Sequence, residues 1–113
     1  MKVIKNPVVV CFDVDATLLG YNIDKADSEI ITLSIEKGYE IKAYGMAKHV
    51  QRLKNHKASG HFIVVWSGSG VEWAELVIKK LKLEKYVDIA TVKPKWGYDD
   101  APFAEWCKRL YLY

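Results

Sequence analysis

Val8-Val9-Val10-Cys11-Phe12-Asp13-Val14-Asp15-Ala16-Thr17 is the stretch that decides the reading of this chain. Five apolar residues follow one another without alternation, as in a strand buried on both faces of a sheet, and the run stops at D-x-D-x-T. We read 7–13 as a central strand, with Pro7 at its first position, where a missing N–H is tolerated. Two carboxylates and a hydroxyl then fall at the end of a buried strand, which is where open α/β sheets bind ligands. Such a donor set suits a phosphate and a hard metal ion. Alone the pattern is weak, since chance produces D-x-D-x-S/T in on the order of a few per cent of chains this long.

Further along, a second apolar run, Phe62 to Trp66, ends in Ser67-Gly68-Ser69-Gly70. It leads into a helical pattern of Val71, Ala74, Leu76, Val77, Ile78 and Leu81 that Ser69 is placed to cap. A third apolar stretch, read as a strand over 86–91, leads to Lys93-Pro94, with Asp99-Asp100 shortly after. Between the first two runs, Ile31, Leu33 and Ile35 alternate with polar residues, as do Tyr39, Ile41 and Ala43, on either side of Lys37-Gly38. That period predicts a β-hairpin, with a helix over 26–37 as the alternative. Met46, Val50 and Leu53 predict a helix closing near Ser59-Gly60, and 101–110 a short terminal helix with Phe103, Trp106 and Leu110 toward the core. Strand and helix alternate. The expected fold is therefore α/β, a Rossmann-like parallel sheet with helices on both faces, plus a small β-hairpin flap. We expect one domain over 1–113, with 21–45 as the flap or a minimal cap insertion.

Size and charge set bounds. The 113 residues, half of them apolar, suit a single core. A net charge of +3 is too mild to argue for nucleic-acid binding, and Lys48, Arg52, Lys54 and Lys57 read as a solvated helix face. No stretch approaches a membrane span and 1–5 lack a signal-peptide core, so the expected setting is cytoplasmic, without a membrane partner. Cys11 and Cys107 read as reduced thiols, Cys11 as core packing. A cysteine-based phosphatase loop would need an arginine six positions after Cys11, where Thr17 stands. His49, His56 and His61 have no metal-pair spacing and read as surface residues. Neither a dinucleotide fingerprint nor a P-loop is present, since Gly68-Ser69-Gly70 lacks the third glycine.

An acidic pair, a hydroxyl, a lysine and a second acidic pair, in that order and each near a predicted strand end, resemble the four motifs of the haloacid dehalogenase (HAD) superfamily of phosphohydrolases. The resemblance spans Val8 to Asp100. It implies an HAD-like core and a Mg²⁺-dependent phosphatase, a phosphoric monoester hydrolase working through an aspartyl-phosphate. Asp13 would be the nucleophile, and Asp15 the general acid for the leaving group and the base for the attacking water. Ser67, Gly68, Lys93 and Thr17 would bind the phosphate, with Lys82 and Lys85 as alternatives to Lys93. Asp13, the backbone carbonyl of Asp15, and Asp99 or Asp100 would hold the metal. The chain departs from the family pattern at Ala16, which replaces the usual glycine and is expected to restrict the turn and lower the rate. It departs again in the short Lys93–Asp99 gap and early end, which imply a missing strand, and in having no inserted cap domain.

A phosphorylated substrate, small or macromolecular, is the expected partner. Only the hairpin, 29–44, is long enough to act as a lid, and it should present Tyr39, Tyr44 and an open edge. Incomplete cover would favour either a macromolecular substrate, such as a nucleic-acid end, or a homo-oligomer whose partner closes the site. Trp66, Trp73, Trp96 and Trp106 read as core or rim residues, with Trp66, beside Ser67, also placed to border the substrate. The alternative function is a non-catalytic HAD-like binding or assembly module. A receiver-type phosphoacceptor is weaker, because no aspartate ends the 62–66 run.

Overall fold

A computed structural model describes residues 8–36, 38–108 and 110. The elements, in order, are β1 (Val9–Asp13), β2 (Leu19–Gly20), β3 (Ile30–Glu36), β4 (Tyr39–Gly45), α1 (Ala47–Ala58), β5 (Phe62–Ser67), α2 (Val71–Lys80), β6 (Ile89–Val92) and the single turn α3 (Phe103–Trp106). Short 3-10 turns occupy Ile23–Lys25 and Glu84–Tyr86, so the third run becomes a strand later than its apolar residues suggest. This is a small α/β protein with two three-stranded sheets, a parallel one in the order β1-β5-β6 and an antiparallel one in the order β2-β4-β3.

The parallel sheet explains the core. Neighbouring residues in register point to the same side, so Val10 and Phe12 share a face with Ile63 and Val65, whereas Cys11 and Asp13 share the other with Val64 and Trp66. The first face is buried. Phe12, Ile63 and Val65 form one cluster with Leu53 of α1 and with Ala74, Val77 and Ile78 of α2. Both crossovers step the same way along the sheet, and right-handed connections then put both helices on one side. The expectation of helices on both faces is corrected accordingly. On the other face Cys11, Phe62, Val64 and Trp66 are only partly buried, and Val9 and Ile89 are exposed.

Three further expectations change. Instead of a buried central strand, β1 is the outermost strand of the described sheet, with Val8 and Val9 about half exposed. Valine enrichment reports apolar surface without saying what covers it. Pro7 lies outside the described residues. Phe103, Trp106 and Leu110 do not reach the core; α3 is one exposed turn in which the Phe103 and Trp106 rings meet edge to face at 5.1 Å. The cap of α2 is Gly70, at φ +109°, and makes no side-chain bond. Ser69 instead donates its backbone N–H to Ser67 Oγ at 3.0 Å.

The hairpin forms as its alternation requires, with Gly38 at φ +81° in the turn; Lys37 lies outside the described residues. It is not a free arm. Leu33 and Ala43 are fully buried in the main core, β3 packs on α2, and β2 ties the hairpin to the chain leaving the D-x-D-x-T loop. Tyr39 is exposed, but Tyr44 is buried, its ring lying over Gly20, where any Cβ would come within 2.5 Å of it. Gly20 is the close approach that lets the Tyr44 ring lie across β2 within the antiparallel sheet.

Candidate functional site

The carboxyl ends of β1, β5 and β6 lie side by side. Asp13 is paired in register with Trp66, and Ser67 with Val92, so the ends of the three apolar runs line one edge of the sheet. The Lys93 backbone N–H donates to the Ser67 carbonyl at 2.9 Å, extending that pairing by one residue. Asp13, Ser67, Gly68 and Lys93 therefore belong to one rim. Lys82 and Lys85 precede β6 and lie on the opposite side of that strand's length, which removes their claim as alternatives.

Behind Asp13 the chain turns back on itself. The Val14 carbonyl accepts N–H groups from Thr17 at 3.2 Å, Leu18 at 3.0 Å and Leu19 at 2.9 Å, and Ala16 N–H donates to Leu19 O at 2.9 Å. Val14, Leu18 and Leu19 are completely buried and anchor the loop in the core. This turn needs Ala16 at φ +62°, the left-handed region in which a Cβ is strained. The sequence expectation about Ala16 rested on the same geometry. The Thr17 side chain makes no hydrogen bond among the described residues, but its carbonyl accepts one from His49 Nδ1–H. His49 is buried, not a surface residue, and ties α1 to the loop. His56 and His61 are partly buried and hydrogen-bonded through their Nδ1 atoms, 3.0 Å apart.

Asp15 is held by two side chains from distant elements. Its Oδ1 accepts the Tyr21 hydroxyl and the Trp73 indole Nε1–H, the latter at 3.2 Å. Burial raises the Tyr21 phenol well above its ordinary value, and the bond to Asp15 and the negative charge of that carboxylate raise it further. Tyr21 and Trp73 escape a reading of the sequence, because six and fifty-eight residues separate them from Asp15. The only local hint is an indole in the first turn of the helix that follows Ser67. Asp13, half-buried at its strand end, has no side-chain partner among the described residues.

Ser67 is fully buried, its Oγ committed to the Ser69 N–H, while Gly68 and Lys93 are exposed. Asp99 and Asp100 lie on an exposed segment, where Asp99 Oδ1 accepts the Ala101 N–H at 2.9 Å. Among the described residues no three His, Cys, Asp or Glu side chains are grouped as a metal would need. Carboxylate oxygens at a strand end do suit Mg²⁺, which is commonly held by one or two carboxylates together with substrate oxygens. Asp13 and the Asp15 backbone fit that part of the role.

Elsewhere, Lys57 pairs with Asp88 at 2.8 Å and Lys54 lies 5.2 Å from the Tyr86 ring centre, so part of the basic helix face is spent on local contacts. Cys11 sits on the open face outside the core cluster, its thiol pushed up by burial and by nearby Cys107; both cysteines are free. Two surface depressions, one beside Glu75, Lys79 and Asp88 and one beside Ser28, Gly45 and Lys80, lie away from the rim. No described helix is long and apolar enough to cross a membrane. Comparison with protein families, with curated proteins and with solved structures finds no match.

Proposed function

We propose that the protein is a phosphoric monoester hydrolase acting through an aspartyl-phosphate, with Asp13 as nucleophile and Asp15 as proton donor and acceptor. The observation that carries this reading is the convergence of Asp13, Ser67 and Lys93 on one carboxyl edge, with Asp15 held in place just beyond Asp13. The resemblance to HAD phosphohydrolases supports the same roles. Asp13, without a side-chain partner among the described residues, is available to attack phosphorus. Asp15 would hand its proton to the leaving oxygen and later take one from water, splitting a difficult displacement into two easier ones. The backbone N–H of exposed Gly68 and the Lys93 ammonium would stabilise charge on the transferring group. A bound Mg²⁺ would offset the repulsion between phosphate and carboxylates.

The test is hydrolysis of an activated phosphate ester with and without a divalent ion, across sugar phosphates, nucleotides, phosphopeptides and phosphate-ended oligonucleotides. Turnover should appear with Mg²⁺ and vanish in excess chelator. Undiminished turnover in chelator would remove the metal from the proposal. A second reading, a non-catalytic module of the same fold, is favoured by one observation: among the described residues no three His, Cys, Asp or Glu side chains are grouped as a metal would need. Absence of turnover on every class of ester would select it.

A further inference from the structure

The two oxygens of Asp15 are not equivalent. Oδ1 receives two donors from distant elements, Tyr21 from just beyond β2 and Trp73 from the first turn of α2, whereas Oδ2 has no side-chain partner among the described residues. An indole N–H only ever donates. The Tyr21 hydroxyl donates to the same oxygen. With both lone pairs of Oδ1 engaged, a proton arriving at Asp15 goes to Oδ2. The clamp also fixes the rotation of the carboxyl group, and a proton donor must be aimed within hydrogen-bond reach of its target.

We infer that Tyr21 and Trp73 are positioning residues that reserve Asp15 Oδ2 for proton transfer, an inference that rests on the proposed function. In the first step an Asp13 oxygen bonds to phosphorus, the bond from phosphorus to the leaving oxygen breaks, and the Oδ2 proton passes to that oxygen. In the second, a water oxygen bonds to phosphorus and the Asp13–phosphorus linkage breaks. One water proton returns to Oδ2, so each cycle consumes one ester and one water and releases alcohol and phosphate. Because the donors come from the root of the hairpin and from α2, the aim of the acid depends on both elements.

The experiment compares Tyr21→Phe and Trp73→Phe with wild type on p-nitrophenyl phosphate, whose leaving group needs little protonation, and on an alkyl phosphate, whose leaving group needs it. The ratio of kcat on the first to kcat on the second should rise about tenfold or more in each variant, within the range by which positioned acids accelerate reactions, with KM little changed. Placed on Asp15→Asn, Tyr21→Phe should add almost nothing. Equal losses on both esters, or a full additional loss on Asp15→Asn, would overturn the inference while leaving the hydrolase reading intact. Inactivity of the wild type on every ester would remove that reading and this inference together. A readout independent of turnover is the Trp73 indole N–H resonance, assigned from Trp73→Phe: it should move in Asp15→Asn and stay in place in Asp13→Asn. An unmoved resonance in Asp15→Asn would overturn the clamp.

Discussion

The two acidic segments of this chain differ as sharply as two parts of one small protein can. Asp13 to Thr17 is wound into a turn that rests on three completely buried side chains and is tied to α1, α2 and the hairpin root by side-chain hydrogen bonds. Lys93 to Asp100 is attached by the Lys93 N–H at one end, and beyond it Trp96 and Tyr98 are almost wholly exposed. A carboxylate in the first segment has its position fixed before any ligand arrives. One in the second stands on an exposed segment with little packed behind it. How firmly the same residue type is held is decided by the packing behind the backbone.

The largest expected effect tests the fixed segment: Asp13→Asn should abolish ester hydrolysis while leaving circular dichroism and melting unchanged, since an amide is nearly isosteric but a poor nucleophile. A wild-type rate in that variant would end the aspartyl-phosphate proposal. Stability should divide the segments next. Leu18→Ala should lower unfolding free energy by about 2–5 kcal/mol, as buried leucines do. Trp96→Ala and Tyr98→Ala should stay within about 0.5 kcal/mol in the same denaturant titration, and a comparable loss there would show the second segment to be packed after all.

Lys93→Ala should remove about 2–4 kcal/mol of transition-state stabilisation, read as kcat/KM, without altering stability. Ser67→Ala should lower both, because its buried hydroxyl also holds the Ser69 N–H. Smaller still, Ala16→Gly should stabilise by roughly 0.5–1 kcal/mol by relieving the left-handed turn, set against the greater freedom of glycine in the unfolded chain. Lys82, at φ +58° beyond α2, occupies the place that Gly60 fills beyond α1, and Lys82→Gly should behave alike. Last comes Asp88, whose carboxyl is lowered first by the Ile63 N–H and then by Lys57. With its folded value below its unfolded one, it contributes stability above the unfolded value, and that contribution is lost as pH falls through the folded one. Asp88→Asn should therefore cost less than about 1 kcal/mol near neutrality and flatten the acid limb of a stability-versus-pH curve.

The sequence announced the elements far better than their surroundings. Alternation around Gly38 specified the hairpin, and the uninterrupted runs specified β1 and β5, because side-chain period follows directly from backbone geometry. Which face is covered depends on topology instead, so β1 read as central and Phe103, Trp106 and Leu110 as core. Of the candidate site, the strand-end residues were legible since each terminates an apolar run. Tyr21, His49 and Trp73 were not, as hydrogen bonds that cross from one element to another leave no periodic trace.

The Val14 carbonyl carries a consequence for dynamics. Three consecutive amides, those of Thr17, Leu18 and Leu19, converge on it, and the Leu18 and Leu19 side chains are sealed from water. Loops at binding sites usually exchange their amide hydrogens through cheap local openings, but releasing this one requires Leu18 and Leu19 to leave the core. Its amides should accordingly exchange with solvent on the timescale of global unfolding. A ligand arriving at Asp13 then meets a surface whose ordering entropy was already spent in folding, so its affinity carries almost no penalty for organising the loop.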